Sequence, residues 1–180
     1  DICKIKKNHV FFKNVEYVFH FAGIGDIVPS IENPVNYMNT NVQGTVKVLE
    51  ADRFNKIKKF IYSASASCYG VSSSRKDEKG KIDTKYPYAL SKYMGEQSAF
   101  HWHKVYGLPV NSIRIFNAYG TRVRTTGAYG AVFGVFFKQK IKNQPLTVVG
   151  NGKQSRDFVY VTDVAKAFYS AAKSKKSGQI

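Results

Sequence analysis

Three short, nearly continuous apolar runs alternate with long helix-like stretches in this chain, and that alternation restricts its fold more than any other feature. The runs lie at residues 15–23, 58–63 and 108–120, and the stretches between them at 34–55 and 87–106. Strands buried on both faces lose the period-two pattern, so such runs separated by helices predict an α/β fold with a parallel sheet. The expected order is strand, helix, strand, helix, strand, followed by a smaller helix-and-strand portion. Val42, Val46, Leu49 and Phe54 give the first helix its apolar face. Pro87 suits the first turn of the second, and Gly107 stops it. Further expectations are a short helix within 3–14, a helix over 129–142, a strand from Leu146 into a Gly/Asn turn, and Thr162 as the N-cap of a last helix.

The second helix carries Tyr88 and Lys92, four apart and therefore one turn apart on one face. A phenol is a poor base near neutral pH, its reference pKa being about 10. A neighbouring ammonium favours the phenolate and brings the pair towards acid/base work. Tyr-x-x-x-Lys alone also describes an ordinary amphipathic surface. The run before it changes the balance: from Phe60 through Ser63, Ala64, Ser65, Ala66 and Ser67 to Gly70 it reads as a buried strand entering a hydroxyl-rich loop. Such a loop supplies a serine hydroxyl to the oxygen that Tyr88 protonates or deprotonates.

Composition adds limits. The net charge of +16 raises nucleic acid or an acidic surface as a partner. The lysines are scattered, however, with short clusters at 4–7, 56–59 and 173–176 and no continuous basic stripe. A solvated basic surface is the preferred reading, and a nucleic-acid partner is not expected. Cys3 and Cys68 make no disulfide framework and fit a reducing cytoplasm. No metal-ligand spacing, signal peptide or membrane-length apolar run is present, so neither metal nor membrane is expected. The chain starts at Asp1 without an initiator Met and reads as an internal fragment.

Strand, serine loop and a helix bearing Tyr88 and Lys92 together resemble the short-chain dehydrogenase/reductase superfamily. The fuller wording, from Phe60 to Gly70 and from Tyr86 to Glu96, is similar to its extended branch of NAD-dependent nucleotide-sugar epimerases and dehydratases. The resemblance implies the C-terminal part of a Rossmann-like doubly wound parallel sheet with part of a smaller substrate-binding portion. Residues 1–115 correspond to the partial NAD-binding domain. Residues 116–180 correspond mostly to the substrate portion, with a strand and helix that can return to the first part.

The same resemblance assigns roles. Ser65, Tyr88 and Lys92 are the catalytic set. Cofactor contacts fall on Asp1 and Ile2 (the adenine side), Phe21, Ala22 and Gly23 (along the cofactor), Asn41, Ser63, Tyr88 and Lys92. His20 is read as a packed strand residue. Ser65, Asn117, Leu146, Thr147 and Arg156 face the substrate, with Arg156 clamping the diphosphate. The implied cofactor is NAD rather than NADP, the substrate a UDP-linked sugar, and the assembly a homodimer through the helices at 34–55 and 87–106. Two departures stand out: Gly25 replaces a lysine that contacts the cofactor in some 4-epimerases, and Thr121 replaces a proline before Arg122. The Gly-rich phosphate loop expected of such enzymes does not occur in these 180 residues.

The serine loop separates the reactions. The resembled 4,6-dehydratases carry an Asp-Glu pair where this chain has Ala66 and Ser67, and UDP-glucuronate decarboxylases place Glu at the Ser67 position. Without those carboxylates a 4-epimerase is favoured, with a dehydratase or keto-sugar reductase behind it. From another class, a basic binding module that keeps the fold without turnover remains the alternative.

Overall fold

The computed structural model describes residues 1–71, 77–125 and 132–180. Part of the polar loop expected at 71–85 and the first residues of the helix expected at 129–142 therefore lie outside the described residues. The described chain forms two compact units, residues 1–115 with 167–180, and residues 116–166.

In the first unit β1 (Tyr17–His20), β2 (Lys59–Ser65) and β3 (Val110–Ile115) form a parallel sheet in the order β1-β2-β3. Val18 stands opposite Phe60, and Ile61 opposite Asn111. The central strand β2 is buried on both faces: Phe60, Ile61 and Tyr62 are wholly inaccessible, which is why its sequence shows no alternation. Each such side chain contributes roughly 1.5–3 kcal/mol through burial. Parallel strands need long crossovers. The first is built from α1 (Val28–Glu32), α2 (Pro34–Met38), a π-helical segment at Asn39–Gly44, and α3 (Thr45–Phe54). The second is α4 (Pro87–Tyr106). Pro87 opens α4, and Gly107 closes it with φ 70° and an N–H donated to the His103 carbonyl, both as expected.

The π-helical segment corrects the sequence reading of 34–55. Its wider turn inserts extra rotation, so the helix face behind it is displaced. The buried positions of α3 are Thr45, Val48, Leu49, Ala51 and Asp52, while Phe54 is 52% exposed. Residues 3–14 likewise hold two short 3-10 turns, Ile2–Lys4 and Val10–Phe12, rather than one helix.

The C-terminal residues join the first unit through side chains of the sheet. Lys59 Nζ donates to the Lys176 carbonyl and to Ser177 Oγ, both at 2.8 Å. Asn111 Nδ2 donates to the carbonyls of Ala171 and Lys176.

The second unit pairs β4 (Asn117–Tyr119) with β5 (Phe158–Tyr160) in parallel and holds α5 (Val132–Ile141). Tyr119, Phe133, Phe158 and Tyr160 pack ring against ring, with centroids 4.9–6.2 Å apart. The last helix, α6 (Val161–Lys173), begins directly after β5 and ends in the first unit. Thr162 is consequently inside its first turn rather than its N-cap. The segment from Leu146 to Val149 is also not a strand: it is exposed and pairs with no strand among the described residues. Gln139 of α5 holds it instead, its amide donating to Thr147 Oγ1 at 2.7 Å. No helix among the described residues is long and apolar enough to cross a membrane.

Candidate active site

The C-terminal ends of parallel strands are where open α/β sheets leave room for ligands. Here β1 ends in Phe21, Ala22 and Gly23, all exposed, and β2 runs into Ser65 and a 3-10 turn at Ala66–Tyr69. The N-terminal half of α4 faces both ends.

Asn41 organises the first of them. It is 1% exposed. Its Oδ1 accepts from the Ile24 N–H at 2.7 Å, and its Nδ2 donates to the Ile24 carbonyl at 3.0 Å and to Ser91 Oγ at 2.9 Å. Ser91 in turn donates to the Tyr88 carbonyl at 2.8 Å. One amide thus fixes the turn after Gly23 to the helix that carries Tyr88 and Lys92. A methyl group on Gly23 would sit 3.0 Å from Asn41 Oδ1 and 3.7 Å from Lys92 Nζ, so only glycine leaves this shelf open.

Beneath the shelf His20 is buried and neutral, its pKa pushed down to about 3 by burial and by the Lys92 charge. Thr45 Oγ1 donates to the Asn41 carbonyl at 2.7 Å, so His20 Nε2, 2.9 Å away, is the donor to that hydroxyl. His20 is a packed strand residue, as read from the sequence.

Tyr88 is the meeting point of the serine loop and the helix. Its ring stands nearly perpendicular to that of Tyr37, with 6.3 Å between centroids. Tyr37 also donates its hydroxyl to the Gly25 carbonyl. Burial raises the Tyr88 pKa, the Ser65 hydroxyl lowers it, and the Asp26 carboxylate raises it further. Burial is the largest of these effects, and its direction is opposite to the lowering expected from Lys92. The Lys92 ammonium lies 4.8 Å from the Tyr62 ring centre. Burial depresses its own pKa to about 8, against the opposing pull of Glu96.

Gly23, Asn41, Ser65, Tyr88 and Lys92 are thus brought together. Ser63 lies buried in β2, opposite Ile113. Asp1 caps the first 3-10 turn, accepting from the Cys3 N–H at 2.9 Å, and the Ile2 side chain packs where Gly44 leaves space. Asn117, Leu146, Thr147 and Arg156 belong to the second unit. There Asn117 Nδ2 donates to the Asp157 carbonyl at 2.9 Å, and the exposed Arg156 donates to the Ser155 carbonyl.

Sequence reasoning missed Tyr37, Asp26 and the support behind the helix. Glu96, one turn beyond Lys92, is 1% exposed and accepts from Arg114 Nη2 at 2.7 Å and Ser112 Oγ at 2.7 Å. Arg114 also donates to the Tyr69 hydroxyl at 2.6 Å. Arg114 therefore ties α4, β3 and the turn after Ser65 together. The one sequence signal that could have found Tyr37 is its spacing of one helical turn from Asn41.

Comparison with known proteins follows this geometry. A family model for the NAD dependent epimerase/dehydratase family matches residues 1–180. A protein named putative UDP-glucose 4-epimerase from Methanocaldococcus jannaschii is 40% identical over 158 residues, 87% of this chain and 52% of that relative. UDP-glucuronate 4-epimerase from Thermodesulfobacterium geofontis is 31% identical, over 89% of this chain and 49% of its own. Among solved structures, UDP-N-acetylglucosamine 4-epimerase from Methanobrevibacter ruminantium, in complex with UDP-N-acetylmuramic acid, superposes with a TM-score of 0.94 at 31% identity, covering all of this chain and 58% of that one. UDP-glucuronic acid 4-epimerase from Bacillus cereus, in complex with UDP-glucuronic acid and NAD, gives 0.90 at 30% identity, covering 99% of this chain and 56% of that one. The chain spans about half the length of the relatives it matches. A parallel sheet, an open glycine shelf and a Ser65–Tyr88–Lys92 cluster at its strand ends, matched by a family model from first residue to last, place this chain in the NAD dependent epimerase/dehydratase family.

Proposed function

We propose that the protein works as an NAD-dependent 4-epimerase of a UDP-linked sugar, with Tyr88 as the acid/base, Lys92 as its cationic neighbour and Ser65 as the hydroxyl at the reacting oxygen. The observation that carries this reading is the open shelf at Gly23, tied through Asn41 and Ser91 to the helix that carries Tyr88, with the Lys92 ammonium beside it. The residues fit a dinucleotide: Ala22 and Gly23 are exposed where a flat ring can approach, and a buried ammonium stands 3.7 Å from the space a Gly23 side chain would fill. Phe21, Ala22, Gly23, Asn41, Ser63, Tyr88 and Lys92, with Asp1 and Ile2 on the adenine side, would hold it. When bound, NAD supplies the acceptor and donor of hydride.

The chain's own residues handle the proton. Tyr88 removes it from the sugar hydroxyl and returns it to the oxygen of the turned-over sugar. Ser65 keeps that oxygen within reach, and the burial that raises the phenol's pKa also excludes water from the exchange. Ala66 and Ser67 supply no carboxylate, so water elimination lacks the extra acid and base it requires. Asn117, Leu146, Thr147 and Arg156 are proposed to bind the nucleotide sugar, in a substrate portion made mostly of residues 116–180. Free Cys3 and Cys68 accord with a cytoplasmic setting.

Tyr88→Phe in the full-length protein is expected to lower kcat about 10²–10⁴-fold while substrate binding changes little, because the lost oxygen acts in the transition state. Full activity in that variant would remove the catalytic assignment.

We also propose a homodimer through α2, α3 and α4. Val35, Phe54, Leu90, Met94, Val105 and Tyr106 stand 37–67% exposed on these helices. Sedimentation of the full-length protein is expected to give a dimer, and a monomer at micromolar concentration would rule it out.

A further inference from the structure

Lys92 is a cation in surroundings that disfavour one. The residue is 7% exposed, and burial brings its pKa down to about 8. Glu96, one turn further along α4, is engaged by β3, accepting from Arg114 Nη2 and Ser112 Oγ at 2.7 Å each. The Lys92 ammonium itself meets the face of a ring, with Nζ 4.8 Å from the centre of Tyr62.

Tyr62 is held so that this face stays in place. It is wholly buried in the central strand β2. Its hydroxyl donates to the Lys92 carbonyl at 3.2 Å, so the strand grips the helix at the residue whose ammonium lies over the ring. A methyl group on Gly95 would overlap that hydroxyl, so glycine at this turn of α4 lets the ring come close. His20 of β1 stacks beside Tyr62, with ring planes 24° apart and centroids 5.7 Å apart. Burial and the Lys92 charge keep His20 neutral, so it adds no second cation to the stack.

An aromatic face attracts a cation through the ring's quadrupole, more strongly where water is excluded. Resting on the cationic role of Lys92 given above, we propose that Tyr62 is a positioning residue whose ring face holds the Lys92 side chain as a cation beside the Gly23 shelf. The groups around Lys92 are His20 on β1, Tyr62 on β2, Tyr88 and Glu96 one turn to either side on α4, and Arg114 on β3 through Glu96. Asp26 acts on Tyr88 from the segment after β1. His20 is neutral and Arg114 is matched by Glu96, which leaves the ring as the part that can be tuned without altering a charge.

The test keeps the shape of the ring and changes its face. In the full-length enzyme with NAD, Tyr62→Phe is compared with phenylalanines at position 62 that bear increasing numbers of ring fluorines, which draw electron density from the face. Lys92 is titrated by NMR of an isotope-labelled side-chain carbon, its signal identified by its loss in Lys92→Met, and thermal melts confirm folding. Tyr62→Phe retains the face and is expected to leave the Lys92 titration near the wild-type value. Full fluorination is expected to lower the Lys92 pKa by about one unit, in steps that follow the fluorine count. A fall from about 8 to about 7 removes about two thirds of the cation at about pH 7.5, so kcat relative to Tyr62→Phe is expected to drop about threefold there. Should the fully fluorinated ring unfold the protein, the slope over the lower fluorine counts decides. A flat Lys92 titration in folded variants, beside an inactive Lys92→Met, overturns the proposal and leaves the role of Lys92 intact. A titration lowered as far by Tyr62→Phe as by full fluorination overturns it too, by making the hydroxyl the anchor. A falling titration with level kcat overturns the link between this charge and turnover. Full activity in Lys92→Met removes the cationic role, and this proposal with it.

Discussion

Lys92 concentrates a conflict between stability and the proposed chemistry in one side chain. Its ammonium is 7% exposed and its pKa falls from the ordinary 10.5 to about 8 through burial. Between those two values the unfolded chain binds more protons than the folded one, so stability rises with pH across that window. Below about pH 8 the cost of the buried charge is present in full. Lys92→Met removes the charge, keeps most of the volume, and leaves Glu96 paired with Arg114. It is expected to raise stability at pH 7 by about 1–3 kcal/mol while abolishing turnover, with the gain shrinking as pH climbs from about 8 to 10.5. Denaturant titrations at several pH values measure this. Lys92 and Tyr88 were legible in the sequence because helical spacing alone puts them on one face. Glu96 with Arg114 was not, since the partners lie 18 residues apart on different elements and meet only when β3 docks beside α4. The burial that raises the Tyr88 pKa was hidden for the same reason: neighbour spacing is visible in a sequence, and burial depth is not.

At the scale of elements, strands and helix ends were legible wherever composition is punctuated. β2 announces itself by a run of apolar residues, and α4 by Pro87 and Gly107. The π-helical turn at Asn39–Gly44 carries no such mark, and it shifted the buried face of α3 onto Asp52. That carboxyl is wholly buried, and neither of its oxygens has a hydrogen-bond partner among the described residues. Burial raises its pKa from 3.8 to about 8. From about pH 4 to 8 the folded state binds more protons than the unfolded one, so Asp52 costs stability increasingly as pH rises. Asp52→Asn holds the shape without the charge. The variant is expected to melt near the wild type at pH 4 and progressively above it towards pH 8, by about 1–3 kcal/mol at the upper end. A constant difference across that range would show that Asp52 does not titrate as described. The segment from Leu146 to Val149 was misread as a strand because its composition suits one, yet side chains rather than a strand hold it, Gln139 at Thr147 and Gln154 at the Val149 carbonyl. Pairing depends on a neighbour, which local sequence does not supply.

For the molecule as a whole, the three-stranded parallel sheet and the proposed catalytic cluster with Ser65 belong to the first unit, and the other proposed nucleotide-sugar contacts, Asn117, Leu146, Thr147 and Arg156, to the second. The surface charge of +16 attaches to neither site in particular. Family membership rests on the match over residues 1–180, whereas the choice of reaction rests on Ala66 and Ser67 lacking carboxylates beside an intact Ser65, Tyr88 and Lys92. The most direct measurement is incubation of the full-length protein and NAD with UDP-glucose, UDP-galactose and their N-acetyl forms, following sugar configuration and nicotinamide absorbance together. Interconversion of the 4-epimers with no net reduction of NAD is the predicted result. Stoichiometric NADH, or loss of water to a 4-keto-6-deoxy sugar, would contradict it.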